Sequence, residues 1–98
     1  MSGPVRVSAL RMSVEGLDRA RAIARTFAYS GVPHKAVARG WFENARGETV
    51  FADSGVEVAD FRARGRSLKL TFDGHTEIVY PVLDGSGRDP VFDFVRAP

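Results

Sequence analysis

The sequence predicts an α+β fold in which one N-terminal amphipathic helix packs on a mainly antiparallel, twisted sheet of about six to seven strands, in the order β-α-β-β-β-β-β-β. Two observations carry this. Apolar residues recur with the helical period between Leu17 and Ala28. Beyond Pro33 the chain becomes a series of short apolar–polar alternations separated by Gly, Asn and Asp turn signals. At 98 residues, with 44% hydrophobic and 27% charged side chains, the chain suits one domain built on one core, so residues 1–98 are read as a single globular unit.

Residues Met1 to Pro4 read as a flexible lead-in. Leu10, Met12 and Val14 then alternate with Arg11 and Ser13, the two-residue period of a half-buried strand. Val5 and Val7 fall in the opposite phase, which calls for a bulge near Ala9 or a later start to pairing. From Leu17 the period changes. Leu17, Ala20, Ile23, Ala24, Phe27 and Ala28 form one apolar stripe, with Asp18, Arg21 and Arg25 on the opposite face. Asp18 stands in the first turn, where the helix dipole favours an anion, and Ser30-Gly31 followed by Pro33 supplies the stop.

Ala36 to Glu43 and Glu48 to Ala52 flank Asn44-Ala45-Arg46-Gly47, whose Asn suits the start of a type I turn and whose Gly suits a left-handed bulge; this predicts a hairpin. Asp53-Ser54-Gly55 reads as a turn into a further strand, Val56 to Arg62. Ser67 to Phe72 and His75 to Leu83 meet at Asp73-Gly74. A two-residue loop there would set Leu70 opposite Glu77. A three-residue loop of Phe72-Asp73-Gly74 pairs Lys69 with Glu77 and Leu68 with Ile78, and side-chain matching predicts this second register. Asp84 to Pro90 reads as a polar, mobile loop, and Val91 to Val95 as a last strand with Phe92 and Phe94 on one face. That C-terminal strand is a candidate open edge through which two copies could pair as a homodimer.

The chain has no cysteine, which removes disulfides, thiolate catalysis and Cys-based metal sites and accords with a reducing compartment. No run of 18 apolar residues is present, and the start MSGPVRVSALR lacks the apolar core of a signal peptide, so a cytoplasmic protein without membrane attachment is expected. The net charge is +2, and twelve of the fourteen basic residues are Arg. Codon bias in a GC-rich genome explains that most simply, although Arg forks also suit carboxylate, phosphate and interface pairing. Residues 1–49 carry eight basic and four acidic side chains and residues 50–98 six and eight, the mixed pattern of an ordinary solvated surface.

No chemical constellation stands out. His34 and His75 have no second histidine at metal-ligand spacing and read as exposed, non-catalytic residues. Ser86 has glycine as both immediate neighbours, which is not the spacing of a nucleophile elbow, and Asp84 with Asp89 does not make a calcium loop. No metal or cofactor is expected. Arg62-Ala63-Arg64-Gly65-Arg66 is the densest charge cluster; if extended, it would aim Arg62, Arg64 and Arg66 to one side as phosphate contacts. Trp41 and Phe42 adjoin within a strand, so one ring must leave the face that the other occupies. Packing at the sheet rim or under a loop is the expected fate of the outward ring; if it is exposed, Trp41 with Tyr29, Arg39 and Tyr80 has the composition of a protein-binding hot spot.

Three function classes follow. The first is a non-enzymatic protein-interaction module, a small regulator or inhibitor using Trp41, Arg39, Tyr29 and Tyr80. Compact inhibitors encoded by phages or mobile elements, such as anti-CRISPR proteins, share this size and composition. The second is a nucleic-acid-binding domain using Arg62, Arg64 and Arg66 with Arg19, Arg21 and Arg25 of the helix. The third is a small-molecule site or enzyme in the concavity between helix and sheet, with His34 or His75 as base.

Overall fold

The computed structural model describes residues 11–62 and 65–96. Six strands and one helix follow in order: β1 (Arg11–Glu15), α1 (Leu17–Ser30), β2 (His34–Asn44), β3 (Thr49–Asp60), β4 (Leu68–Phe72), β5 (His75–Val82) and β6 (Val91–Arg96). All pairings are antiparallel, in the order β1-β6-β2-β3-β4-β5, and β5 pairs back onto β2. The α+β class with one helix on an antiparallel sheet is therefore observed, and β2 to β5 close into a small barrel.

Strand β2 makes this closure possible because it serves two neighbours along one edge. Its first half, His34 to Arg39, pairs with β6, and its second half, Trp41 to Asn44, pairs with β5. The change of partner falls at Gly40, which holds φ at 134° with Pro90 directly against it. The same bend appears in β3, where the step from Ala52 to Val56 answers a step of only two residues, Ala38 to Gly40, in β2. Extra residues in one strand sharpen its bend and twist. Asp53-Ser54-Gly55 is thus a bulge within one long strand, where the sequence predicted a turn between two strands. The Gly55 amide donates to Asp53 Oδ1 at 2.8 Å, so the turn chemistry is present but the chain does not reverse.

Inward-facing residues form one continuous core. Phe42, Ala52, Leu68, Leu70 and Val79 fill the barrel, while Val14, Leu17, Ala20, Ala36, Ala38, Phe92 and Phe94 lie between the β1–β6–β2 flange and α1. Phe61 joins the halves, its ring centroid 5.6 Å from Phe92 and 5.7 Å from Phe94. The helix follows the predicted stripe from Leu17 to Phe27, though Ala28 is exposed, and it ends as predicted: Gly31 takes the left-handed conformation, and the amides of Gly31 and Val32 donate to the carbonyls of Ala28 and Phe27. The Asn44–Gly47 hairpin also holds, with Asn44 Oδ1 accepting from the amides of Arg46 and Glu48 at 3.0 and 2.9 Å.

The β4–β5 hairpin differs from expectation. Its loop is the two residues Asp73 and Gly74, with φ of 44° and 87°, and Leu70 stands opposite Glu77. Two consecutive positive φ values make a primed turn, whose twist matches that of the strands. A one-residue slip would also turn β5 inside out, exposing Val79 and Pro81, which are both buried. Burying such residues outweighs the roughly 0.2–1 kcal/mol of a matched surface charge pair. Glu77 instead meets Arg46 at 3.9 Å and His75 at 2.6 Å.

The C-terminal strand is not an edge. β6 lies between β1 and β2 and pairs with both, so the homodimer contact expected there has no open ladder to use. Among the described residues, β1 is the outermost strand on that side. The Asp84–Pro90 loop is internally braced: Asp84 Oδ1 accepts from the amides of Ser86 and Arg88 at 2.7 and 2.9 Å and from the Ser86 hydroxyl at 2.6 Å. Among the described residues no helix is long and apolar enough to cross a membrane.

Candidate functional site

Because Phe42 and Asn44 face the barrel interior, Trp41 and Glu43 project from its outer wall. Trp41 stands opposite Phe51 on β3 and Val82 on β5, and Glu43 stands opposite Tyr80. Trp41 is 40% exposed and Phe51 56%, with ring centroids 4.8 Å apart. Tyr80, Ile78 and Leu83 are also exposed, extending an apolar surface along β5 and its end. The outward ring is therefore exposed instead of tucked under a loop.

Arg39 lies two residues before Trp41 on the same side of β2. Its Nε and Nη2 donate to Asp93 at 2.9 and 3.3 Å, and Asp93 also accepts from the Ser13 hydroxyl. Asp93 is buried, which pushes its carboxyl up. The hydrogen bonds from Arg39 and Ser13 and the charges of Arg39 and Arg11 outweigh that and hold it below the usual carboxylate range. The network pins the half-exposed Arg39 guanidinium beside the aromatic face.

Of the four residues singled out for protein binding, the structure thus brings Trp41, Tyr80 and Arg39 together. Tyr29 is 95% exposed near the end of α1, on the helix side of the sheet, and does not join them. Phe51, Ile78 and Leu83 were missed. Phe51 was within reach, since the Asn44–Gly47 hairpin sets it opposite Trp41; the expected β4–β5 register instead paired Ile78 with Leu68, which is buried.

Gly65 and Arg66 lie in a turn, so Arg62 and Arg66 are not on one extended run, and Arg64 lies outside the described residues. Arg62 is exposed, with Nε 3.5 Å from Asp60. Arg19 and Arg25 are exposed on α1. Arg21, expected on the solvent face, is half-buried: its guanidinium donates to the carbonyls of Phe61 at 2.7 Å, Ser67 at 2.6 Å, and Gly65. A planar fork with five donors suits this task, and the segment after β3 has carbonyls to satisfy.

The histidines are far from equivalent. His75 is exposed with Nε2 2.6 Å from Glu77. His34, expected at the surface, is half-buried, its ring 4.8 Å from that of Phe27 and 5.9 Å from that of Phe94. Its Nδ1 donates to the Val32 carbonyl at 3.2 Å, which fixes the tautomer and leaves Nε2 open. His34 lines a cleft of about 870 Å³ between α1 and the diverging ends of β2 and β3. Among the described residues, no three metal-ligating side chains converge. No known family model, curated protein or solved structure matches the chain.

Proposed function

We propose that the protein is a non-enzymatic interaction module, a small cytoplasmic regulator or inhibitor that binds a protein partner through the outer aromatic face of its barrel. The observation that carries this reading is the exposed Trp41–Phe51 pair, continued by Tyr80, Ile78 and Leu83 on one rigid wall. Large rings at the water boundary forgo the burial that their size would give them in a core. Contiguous exposed apolar surface of this kind marks association sites, and Trp, Tyr and Arg supply most hot-spot energy. Arg39, oriented by Asp93, adds a fixed cation at the margin. The phosphate-binding alternative has fewer free donors than the sequence suggested, because Arg21 is engaged with three backbone carbonyls.

The test is affinity capture from nuclease-treated and untreated host lysate over a salt gradient, with the native chain beside a Trp41→Ala/Phe51→Ala variant and an Arg62→Ala/Arg66→Ala variant. A discrete protein retained after nuclease and at high salt, and lost with the aromatic variant alone, supports the proposal. Capture of nucleic acid alone, released at modest salt and lost with the arginine variant, overturns it in favour of phosphate binding.

A further inference from the structure

The β2–β3 ladder runs only as far as Val37 opposite Glu57. Ahead of that point on β2, His34 to Ala36 pair with β6; beyond it on β3, Val58 and Asp60 pair with β4. The two strands part, and α1 lies beneath the opening. Interiors ordinarily leave few voids larger than a water molecule. Here a cleft of about 870 Å³ remains, within the size range of sites that hold small organic ligands.

The cleft is preformed. Arg21, one helical turn before Arg25, ties the carbonyls of Phe61, Gly65 and Ser67 to the helix and so holds the wall on the β3 side. On the β2 side, the His34 ring is fixed by Val32 and Phe27, with Nε2 open. Between these walls the lining mixes charged with apolar side chains, and Ala24, Ala28 and Ala36 leave room that longer side chains would fill.

Its charge is also directed. Arg25 on the helix and Lys35 on β2 both line the cleft and are exposed, and neither makes an ion pair or side-chain hydrogen bond among the described residues. Of the two carboxylates in the lining, Asp60 is engaged by the Arg62 amide at 2.7 Å and its guanidinium at 3.5 Å, which leaves Glu57 as the single counter-charge to Arg25 and Lys35. A guanidinium and an ammonium beside the small apolar patch of Ala24, Ala28 and Ala36 suit a ligand with an anionic head and a compact apolar body.

We propose that this cleft binds a small amphipathic carboxylate, its head engaged by Arg25 and Lys35 and its apolar part laid against Ala24, Ala28 and Ala36. The site lies on the helix-covered half of β2, apart from the aromatic wall, and stands or falls independently of protein binding there.

The test is an amide-resolved NMR titration of the full chain with sodium octanoate, with octanol and octyltrimethylammonium as neutral and cationic controls. Saturable shifts confined to amides around Ala24–Ala28, His34–Ala36 and Val58–Phe61 are expected with octanoate, with weaker binding of both controls. Arg25→Glu and Lys35→Glu should each weaken octanoate by about tenfold, Ala28→Leu should abolish binding by filling the cleft, and Trp41→Ala should leave it unchanged. Absence of saturable shifts, equal binding of octyltrimethylammonium, or octanoate affinity unchanged in the charge variants would overturn the proposal. The charge variants lie on the surface and keep the test decisive if Ala28→Leu perturbs the fold.

Discussion

A Cβ on Gly40 would sit 2.9 Å from the Cα of Pro90, closer than real carbon atoms approach, and Gly40 holds φ at 134°. Both features serve the same event, the point at which β2 exchanges β6 for β5. Gly40→Ala should therefore meet backbone strain and a clash with main-chain atoms that cannot swing aside. The expected cost is about 2–4 kcal/mol, read as a lower urea midpoint with unchanged slope. A loss too small to measure would mean that the close approach relaxes freely.

Gly74 provides the contrast. It also has positive φ, 87°, but an added Cβ would meet nothing within 4 Å. Gly74→Ala should cost only the conformational term, about 1 kcal/mol. Asp73→Asn, which gives the residue pair favoured in primed turns, should leave stability equal or slightly higher. Paired urea melts of the Gly40 and Gly74 variants test the ranking, and equal losses would contradict it.

Arg21 anchors the 61–67 segment through three carbonyls. Arg21→Met keeps the aliphatic stem but leaves those acceptors without the fork, for an expected loss of about 2–4 kcal/mol. Arg21→Lys should recover less than half, since one ammonium cannot span three carbonyls in this geometry. Hydrogen exchange should report the loss locally, as faster exchange at Ser67 and neighbouring amides than elsewhere in the sheet. Full rescue by Lys would mean that charge alone holds the segment.

What the sequence made legible was local. The stripe from Leu17 to Phe27, the Gly31 stop and the Asn44–Gly47 hairpin each depend on neighbours within a few residues, and all are observed. The return of β5 to β2 is different. Alternation groups residues by face, but it does not tell which strand edge meets which, so barrel closure left no mark in the pattern. Asp53-Ser54-Gly55 carries turn residues that the fold uses as a bulge. At the aromatic site, Trp41 was legible because two adjacent rings cannot share a face, whereas Ile78 was lost to a one-residue register error. Arg21 looked solvated because periodicity counts it as charged and has no means of showing the carbonyls that a later loop brings to it.

Asp93 gives the molecule an acid-sensitive joint between β1, β6 and β2. Burial raises its carboxyl, but the hydrogen bonds from Arg39 and Ser13 and the charges of Arg39 and Arg11 leave it lowered overall. A carboxylate that titrates lower folded than unfolded, where its value is about 3.9, contributes its full stabilisation above that pH and loses it as pH falls through the folded value. Asp60 is lowered by the Arg62 amide, Asp84 by the Ser86 hydroxyl and Glu48 by the Asn44 amide, so their contributions fade in the same acidic window. Asp93→Asn should therefore be less stable than the native chain by about 1–2 kcal/mol near neutral pH. The gap should close as pH falls below about 4, because the native chain then loses the same charge. Denaturant melts of both proteins between neutral pH and about pH 3 measure this; a gap that stays constant across the range would show that the Asp93 carboxylate is not what joins the three strands.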